Sequence, residues 1–349
     1  MKYLNCFLFL LACTWNSLDT VRMVSNNPVY PAQYPTIPDA ISAASPGDTI
    51  YIYPSGVAYN ENISTSKQLV LIGPGINPLR PNRLSAIIGG TLTVTGASAN
   101  GFVIMGLQCY VTSIGNYLQN VDNVVVSDCK LVAGANFYSN NILFENNWVA
   151  GYGYPAFYGV AQVIIQNNIF DYGVVIGDGA CIVRNNIFAS NDASRKAILP
   201  YYGDLAGSPS VQIHNNIFFK NDPLGSVRTV NGGYYCQSCE YKNNIYFLTN
   251  NPPPVNGNSS GNLNADPQFV NYPIAGAPFS FDYNYHLQSS SPGINYGLDG
   301  KDLGMWGGAS PVNAGFEPPI PRIYELNVSN SNVPAGGIIQ LTIKATRAQ

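Results

Sequence analysis

From about residue 100 the chain alternates short apolar runs with polar pairs, and the runs are too short for helices. Five segments share one pattern: Ile142-Leu143-Phe144-Glu145-Asn146-Asn147-Trp148, Val163-Ile164-Ile165-Gln166-Asn167-Asn168-Ile169-Phe170, Cys181-Ile182-Val183-Arg184-Asn185-Asn186-Ile187-Phe188, Val211-Gln212-Ile213-His214-Asn215-Asn216-Ile217-Phe218 and Cys239-Glu240-Tyr241-Lys242-Asn243-Asn244-Ile245-Tyr246. Each predicts a short strand, an Asn-Asn turn and a second short strand. The second asparagines fall at 147, 168, 186, 216 and 244, so the steps are 21, 18, 30 and 28 residues. Weaker copies precede them at Phe102–Leu107 and Val124–Leu131. A step of 18 leaves no room for a strand plus a full helix, or for a four-stranded blade of roughly 40 residues, which weighs against leucine-rich repeats and propellers. Coils stacked at the strand spacing of about 4.8 Å fit instead.

The turn chemistry agrees. Asparagine enters the left-handed backbone region at small cost, so it bends a chain sharply, and asparagines at successive levels can bond along the axis as a ladder. The residue before the pair changes freely (Glu145, Gln166, Arg184, His214, Lys242), which predicts a solvated edge. The pattern therefore predicts an all-β fold, a parallel β-helix solenoid, right-handed by the general chirality of parallel crossovers.

Such a solenoid needs capped ends. Thr36-Ile37-Pro38-Asp39 reads as a capping box, and Ile37, Ala40, Ile41 and Ala44 fall on one helical face, predicting an N-terminal capping helix. After Gly308 several prolines mark a linker. Ile323–Val328 and Ile338–Ala345 then predict a small C-terminal β appendage. The first residues read as an export leader: Lys2 is followed by a short apolar run, Cys6 to Ala12, too short to span a bilayer. Leu10-Leu11-Ala12-Cys13 resembles a lipobox, in which Cys13 would carry lipid. The expected organisation is a leader over 1–18, a β-helix over 34–308 and the linker with its appendage over 309–349.

Composition narrows the partners. Charged residues are only 10% of 349, the net charge is −3 and no basic stripe is present, so nucleic acid is a poor partner. Membrane contact is expected only through the lipid anchor, and the chain reads as a monomer. Of seven cysteines, Cys109, Cys129 and Cys181 sit singly in apolar strands, and Cys236 and Cys239 suit a local disulfide better than a metal site, since there are only two histidines. Asp171 and Asp178 lack the acidic neighbours that a calcium cage needs. No metal and no cofactor is expected.

Thr36–Asp48, Tyr59-Asn60-Glu61-Asn62 and Lys67–Gly75 resemble the N-terminal part of the pectin-lyase-like β-helix superfamily. Asp266-Pro267-Gln268-Phe269-Val270, Tyr285-His286-Leu287, Ser291-Pro292-Gly293-Ile294 and Asp302-Leu303-Gly304 resemble the closing segment of exported bacterial β-helix proteins. The resemblance implies the fold and a polysaccharide partner, but no particular chemistry. In such enzymes substrate lies over one sheet between long loops, and that sheet is expected at Asn136–Tyr138, Pro155–Tyr158, Val174–Ile176, Ile198–Tyr202 and Arg228–Val230. Tyr138, Tyr158, Tyr201, Tyr202, Tyr234 and Tyr235 would offer flat faces to sugar rings, unless they stack on one another from coil to coil. Arg195, Lys196, Lys220 and Arg228 would meet uronate carboxylates. Lys196, Arg228 and Arg195 are the candidates for base and charge stabiliser in a β-eliminating lyase. Asp204 and Asp222 make a poorer hydrolase pair, and His214 reads as structural. The expected function is binding or cleavage of polysaccharide, against a noncatalytic adhesive surface protein.

Overall fold

The computed structural model describes residues 19–79, 84–151, 153–158, 162–177, 179–192, 196–200, 211–220, 239–249, 258–313, 316–329, 333 and 336–347. Within them the chain is a parallel β-helix with three faces. The first face is an 11-stranded parallel sheet that starts at Val21–Val24, Thr49–Ile52 and Val70–Ile72, and ends at Ser259–Ser260. The first coil thus opens at Val21, ahead of the capping helix Ile37–Ala43. The second face carries the short strands after each Asn-Asn turn, such as Trp148–Val149, Ile169–Phe170, Ile187–Ala189, Ile217–Phe219 and Ile245–Phe247. The third carries Ala135–Phe137, Ala156–Phe157, Val174–Ile176 and Ile198–Pro200. The long strands Ile87–Val94 and Gln108–Ile114 join the second and third faces into one 14-stranded sheet.

Register explains the repeat. Ile165, Val183 and Ile213 stand one above the next and point inward, fully buried. Phe170, Phe188, Phe218 and Tyr246 form an internal stack with centroids 4.7, 5.0 and 5.0 Å apart and planes within 12° of parallel. Offset parallel rings repeat at the coil spacing, so one residue type can serve every level.

The two asparagines of each turn have different tasks. The first takes the left-handed conformation, with φ of 56° at Asn146 and Asn167, 54° at Asn185, 57° at Asn215 and 52° at Asn243. The second points inward and builds the ladder. Asn147, Asn168, Asn186 and Asn216 each donate their backbone N–H to the Oδ1 of the asparagine one coil on, at 2.9–3.0 Å. Their Nδ2 groups also bond a strand carbonyl, as Asn186 does to Ile165 and Asn216 to Val183. The edge before the pair is less solvated than its variety predicts. Gln166 and His214 are 6% and 9% exposed, because neighbouring coils pair these side chains: Gln166 donates to Glu145, and Arg184 donates to Gln166.

The capping helix forms as its sequence dictates. Thr36 Oγ1 accepts from Asp39 N at 3.2 Å and donates to Asp39 Oδ2, while Ile37, Ala40 and Ile41 are buried on the first coil. At the other end Pro321–Val328 and Leu341–Arg347 pair as an antiparallel hairpin. Cys109, Cys129 and Cys181 are buried free thiols, and burial pushes Cys109 and Cys181 up to about 12. Cys239 is half of a disulfide whose other half lies outside the described residues.

Between the last coil and the hairpin, the closing segment runs back along the solenoid as a strap. Its strands Phe269–Asn271 and Asn284–Leu287 pair antiparallel. Downstream of them, Asn243 donates to Tyr296 O, Asn215 Oδ1 accepts from Leu298 N, Asn167 donates to Met305 and Gly307 carbonyls, and Ile76 N donates to Phe316 O. The outer asparagines are therefore also the strap's anchors. The strap buries the outward residues of the second face: Ile169, Ile187, Ile217 and Ile245 pack with Leu303, Met305, Phe269 and Phe279 as a second core.

Candidate functional site

On the third face, Tyr138 and Tyr158 follow strands that pair in register, so their rings stack at 4.3 Å and 23°. Tyr158 Oη lies 3.4 Å from Asn136 Oδ1. Glycines flank the pair along the axis: a side chain at Gly115 would strike the Tyr138 backbone, and one at Gly177 would strike Phe157 O. Lys196 precedes the strand Ile198–Pro200, whereas Tyr158 follows the strand Ala156–Phe157. The structure thus puts Lys196 and the tyrosine pair on opposite edges of one face. Tyr154 and Tyr172 meet edge to face at 6.3 Å on the Lys196 side, a contact the sequence pattern did not single out. Arg195, Tyr201, Tyr202, Arg228, Tyr234 and Tyr235 lie outside the described residues, as do Asp204, Asp222 and Cys13.

The described residues form a better-defined hollow elsewhere, where the strap reaches the early coils. In the outward column of the second face, Ile169 is followed toward the N-terminus by Trp148, Lys130 and Gln108. Apolar cover thus gives way to polar and aromatic side chains. Two hollows of about 310 and 330 Å³ open there, and both are bordered by Leu79, Phe279, Phe281 and Asp282. They form one cleft. The first holds Ser85, Gln108, Lys130 and Trp148; the second holds Asn77, Tyr283, Asn284, His286 and Trp306.

The strap wall is the irregular segment that leads into the strand Asn284–Leu287. Phe279, Phe281, Tyr283 and Tyr285 occur at every second residue. Phe279 and Tyr285 are buried in the second core, while Phe281 and Tyr283 are half-buried. Trp148 is fixed from three sides: Phe279 at 4.8 Å, Phe281 at 5.9 Å and the Lys130 ammonium 3.7 Å above its ring. Asp171 is 5% exposed and clamps this corner, accepting from Trp148 Nε1 at 3.1 Å and from Phe279 N at 2.7 Å. It is thus a structural acceptor. At the other end, the exposed His286 ring stacks on Trp306 at 4.1 Å and 14°.

Electrostatics are mild. Burial lowers the Lys130 pKa, with the Asp171 charge opposing, and burial lowers His286. Burial also lowers His214, although Glu240 Oε1, 2.9 Å from its Nε2, pulls the other way. Among the described residues no group of three or more His, Cys, Asp or Glu is placed to hold a metal ion. The cleft can bind a molecule that is part ring face and part hydroxyl: aromatic walls with a few convergent polar groups are what such ligands require. Sequence reasoning missed it because the strap contributes from over 100 residues away. The alternating aromatics of 279–285 were the signal that marked it.

No protein-family model matches the chain, and no curated protein matches it. Among solved structures the chain is similar to a pectin methylesterase from Aspergillus niger, at 15% identity with a TM-score of 0.26, over 70% of this chain and 80% of that one.

Proposed function

We propose that this is an exported polysaccharide-binding β-helix protein of the pectin-lyase-like kind, seating sugar rings in the cleft between strap and second face. The observation that carries this is the convergence of Trp148, Phe281, Tyr283 and Trp306 with Gln108, Asn284 and His286 around two adjoining hollows. Pyranose rings present flat C–H faces to aromatic rings and hydroxyls to amides, so both halves of the lining are used. The third-face tyrosines supply a further ledge along the axis.

The test is a glycan panel read by calorimetry, with Phe281→Ala, His286→Ala and Tyr158→Ala beside the native protein. Loss of a cleft ring should weaken binding by about 1 kcal/mol, roughly fivefold, with unfolding temperature as the folding control. Binding lost in Tyr158→Ala and kept in the cleft variants would move the site to the third face. No binding to any glycan would refute the reading. The same panel, followed for unsaturated products by ultraviolet absorbance, tests β-elimination by Lys196 with Arg195 and Arg228. Products lost in Lys196→Ala would assign it.

A further inference from the structure

The outward residues of the first face form an aliphatic stripe. Val70, Val103, Val125, Leu143, Ile164 and Ile182 pair one above the next across six coils, about 24 Å at the strand spacing, and all are half-buried. Gln212 and Glu240 then end the column with polar side chains. The strap covers the second face and not this one. Among the described elements, the strands of the first face pack on one another and, at the first coils, on the capping helix. The outer side of a sheet that meets water ordinarily carries polar residues, so six aliphatics in register mark a surface that another apolar surface covers.

The C-terminal hairpin leaves apolar surface open in the same way. Leu341 and Ile343 share one side of its second strand and are 55% and 56% exposed, and the register sets them opposite Val328 and Leu326. A two-stranded hairpin is marginal in water without a third strand or an apolar cover. Its strand Leu341–Arg347 is about 24 Å long, the length of the stripe. The hairpin also leaves the solenoid beside that stripe. Pro318 is buried against Gly106, which follows the strand Val103–Met105, and the first strand of the hairpin starts at Pro321. Pro318, Pro319 and Pro321 stiffen this exit by fixing φ. Leu341 and Ile343 stay exposed so close to the stripe, so the hairpin does not lie on its own chain's stripe. We propose that two copies exchange hairpins about a two-fold axis, each hairpin covering the aliphatic stripe of the other copy, in place of the monomer expected from the sequence. Each contact has a footprint of about 24 by 10 Å, and the two together bury about 1,000 Å², the size at which a specific interface begins. The exchange is closed and reciprocal, so it stops at two chains.

Sedimentation equilibrium of the purified protein over a hundredfold range of concentration reads the assembly. The mass should rise to that of two chains. Leu341→Asp with Ile343→Asp, and separately Leu143→Lys with Ile164→Lys, should each weaken the dimer tenfold or more, with unfolding temperature as the folding control. Mixing the two variants should restore part of the association, because the mixed pair keeps one intact hairpin facing one intact stripe. Should the lysine variant fail to fold, Leu143→Thr with Ile164→Thr takes its place, since threonine suits a strand. A monomer at every concentration overturns the exchange. A dimer lost only in the hairpin variant means hairpins pairing with each other, and one lost only in the stripe variant means faces stacking; either overturns it. No recovery in the mixture overturns it as well.

Discussion

Replacing Asn216 with alanine removes one rung from the centre of the ladder. The Asn216 side chain is fully buried and makes four bonds: Oδ1 accepts from Asn186 N at 2.9 Å and Asn186 Nδ2 at 3.0 Å, while Nδ2 donates to Val183 O at 2.8 Å and Asn244 Oδ1 at 3.1 Å. Alanine supplies none of these, and water cannot reach the groups it strands. The Asn186 backbone N–H loses its acceptor outright, and the Val183 carbonyl loses a donor. Each stranded group costs about 1–3 kcal/mol, so the variant should lose about 3 kcal/mol or more. Asn215, one residue earlier, tests the other half of the turn. It holds φ of 57°, so Asn215→Val should be at least about 1 kcal/mol worse than Asn215→Gly, which loses the same bond to Leu298 N without the strain. Urea unfolding followed by far-ultraviolet circular dichroism measures all three. An Asn216→Ala variant within about 1 kcal/mol of the native protein would refute the ladder as a source of stability, and equal losses in the Val and Gly variants would refute the division of labour.

Three more expectations follow from single contacts. Burial holds His214 below its usual value, so the unfolded chain binds this proton more readily: stability should fall as pH drops below about 6.5, and His214→Gln should flatten that slope. An unchanged slope between pH 7 and 5 would exclude His214 as its source. Asp171→Ala should free the strap at Phe279 and raise that amide's hydrogen exchange at least tenfold, while amides beside Asn186 stay protected; uniform exchange would mean that the strap and solenoid open together. Cys13→Ala should move the protein from the membrane fraction to the soluble one, since the proposed lipid supplies the affinity; a native protein that is already soluble contradicts the lipobox.

The solenoid was legible because its physics repeats. Every coil needs the same inward residues and the same bend, so Ile165, Val183 and Ile213 and the paired asparagines recur visibly in one dimension. The assignment of tasks inside the pair was not legible, since both residues are asparagine and only backbone geometry separates the bend at Asn185 from the rung at Asn186. The buried edge at Gln166 and His214 was misjudged for a related reason: varied residues look solvated, yet unlike side chains can pair between coils. Ile169, Ile187, Ile217 and Ile245 read as part of a continuous apolar strand, with no sign that their outer side awaits a strap. The cleft is hidden for the same cause. Its two walls, Lys130 with Trp148 and Phe281 with Trp306, meet only through tertiary packing, and each alone looks like an ordinary exposed or core residue.

A crystal structure grown with a bound oligosaccharide from the glycan panel tests the central claim most directly. The account predicts density for a sugar ring in the cleft between Trp148 and Trp306, against Phe281 and Tyr283, with polar contacts to Gln108 or Asn284. Density over Tyr138 and Tyr158 alone, with the cleft holding only water at a concentration that saturates binding in solution, would contradict it.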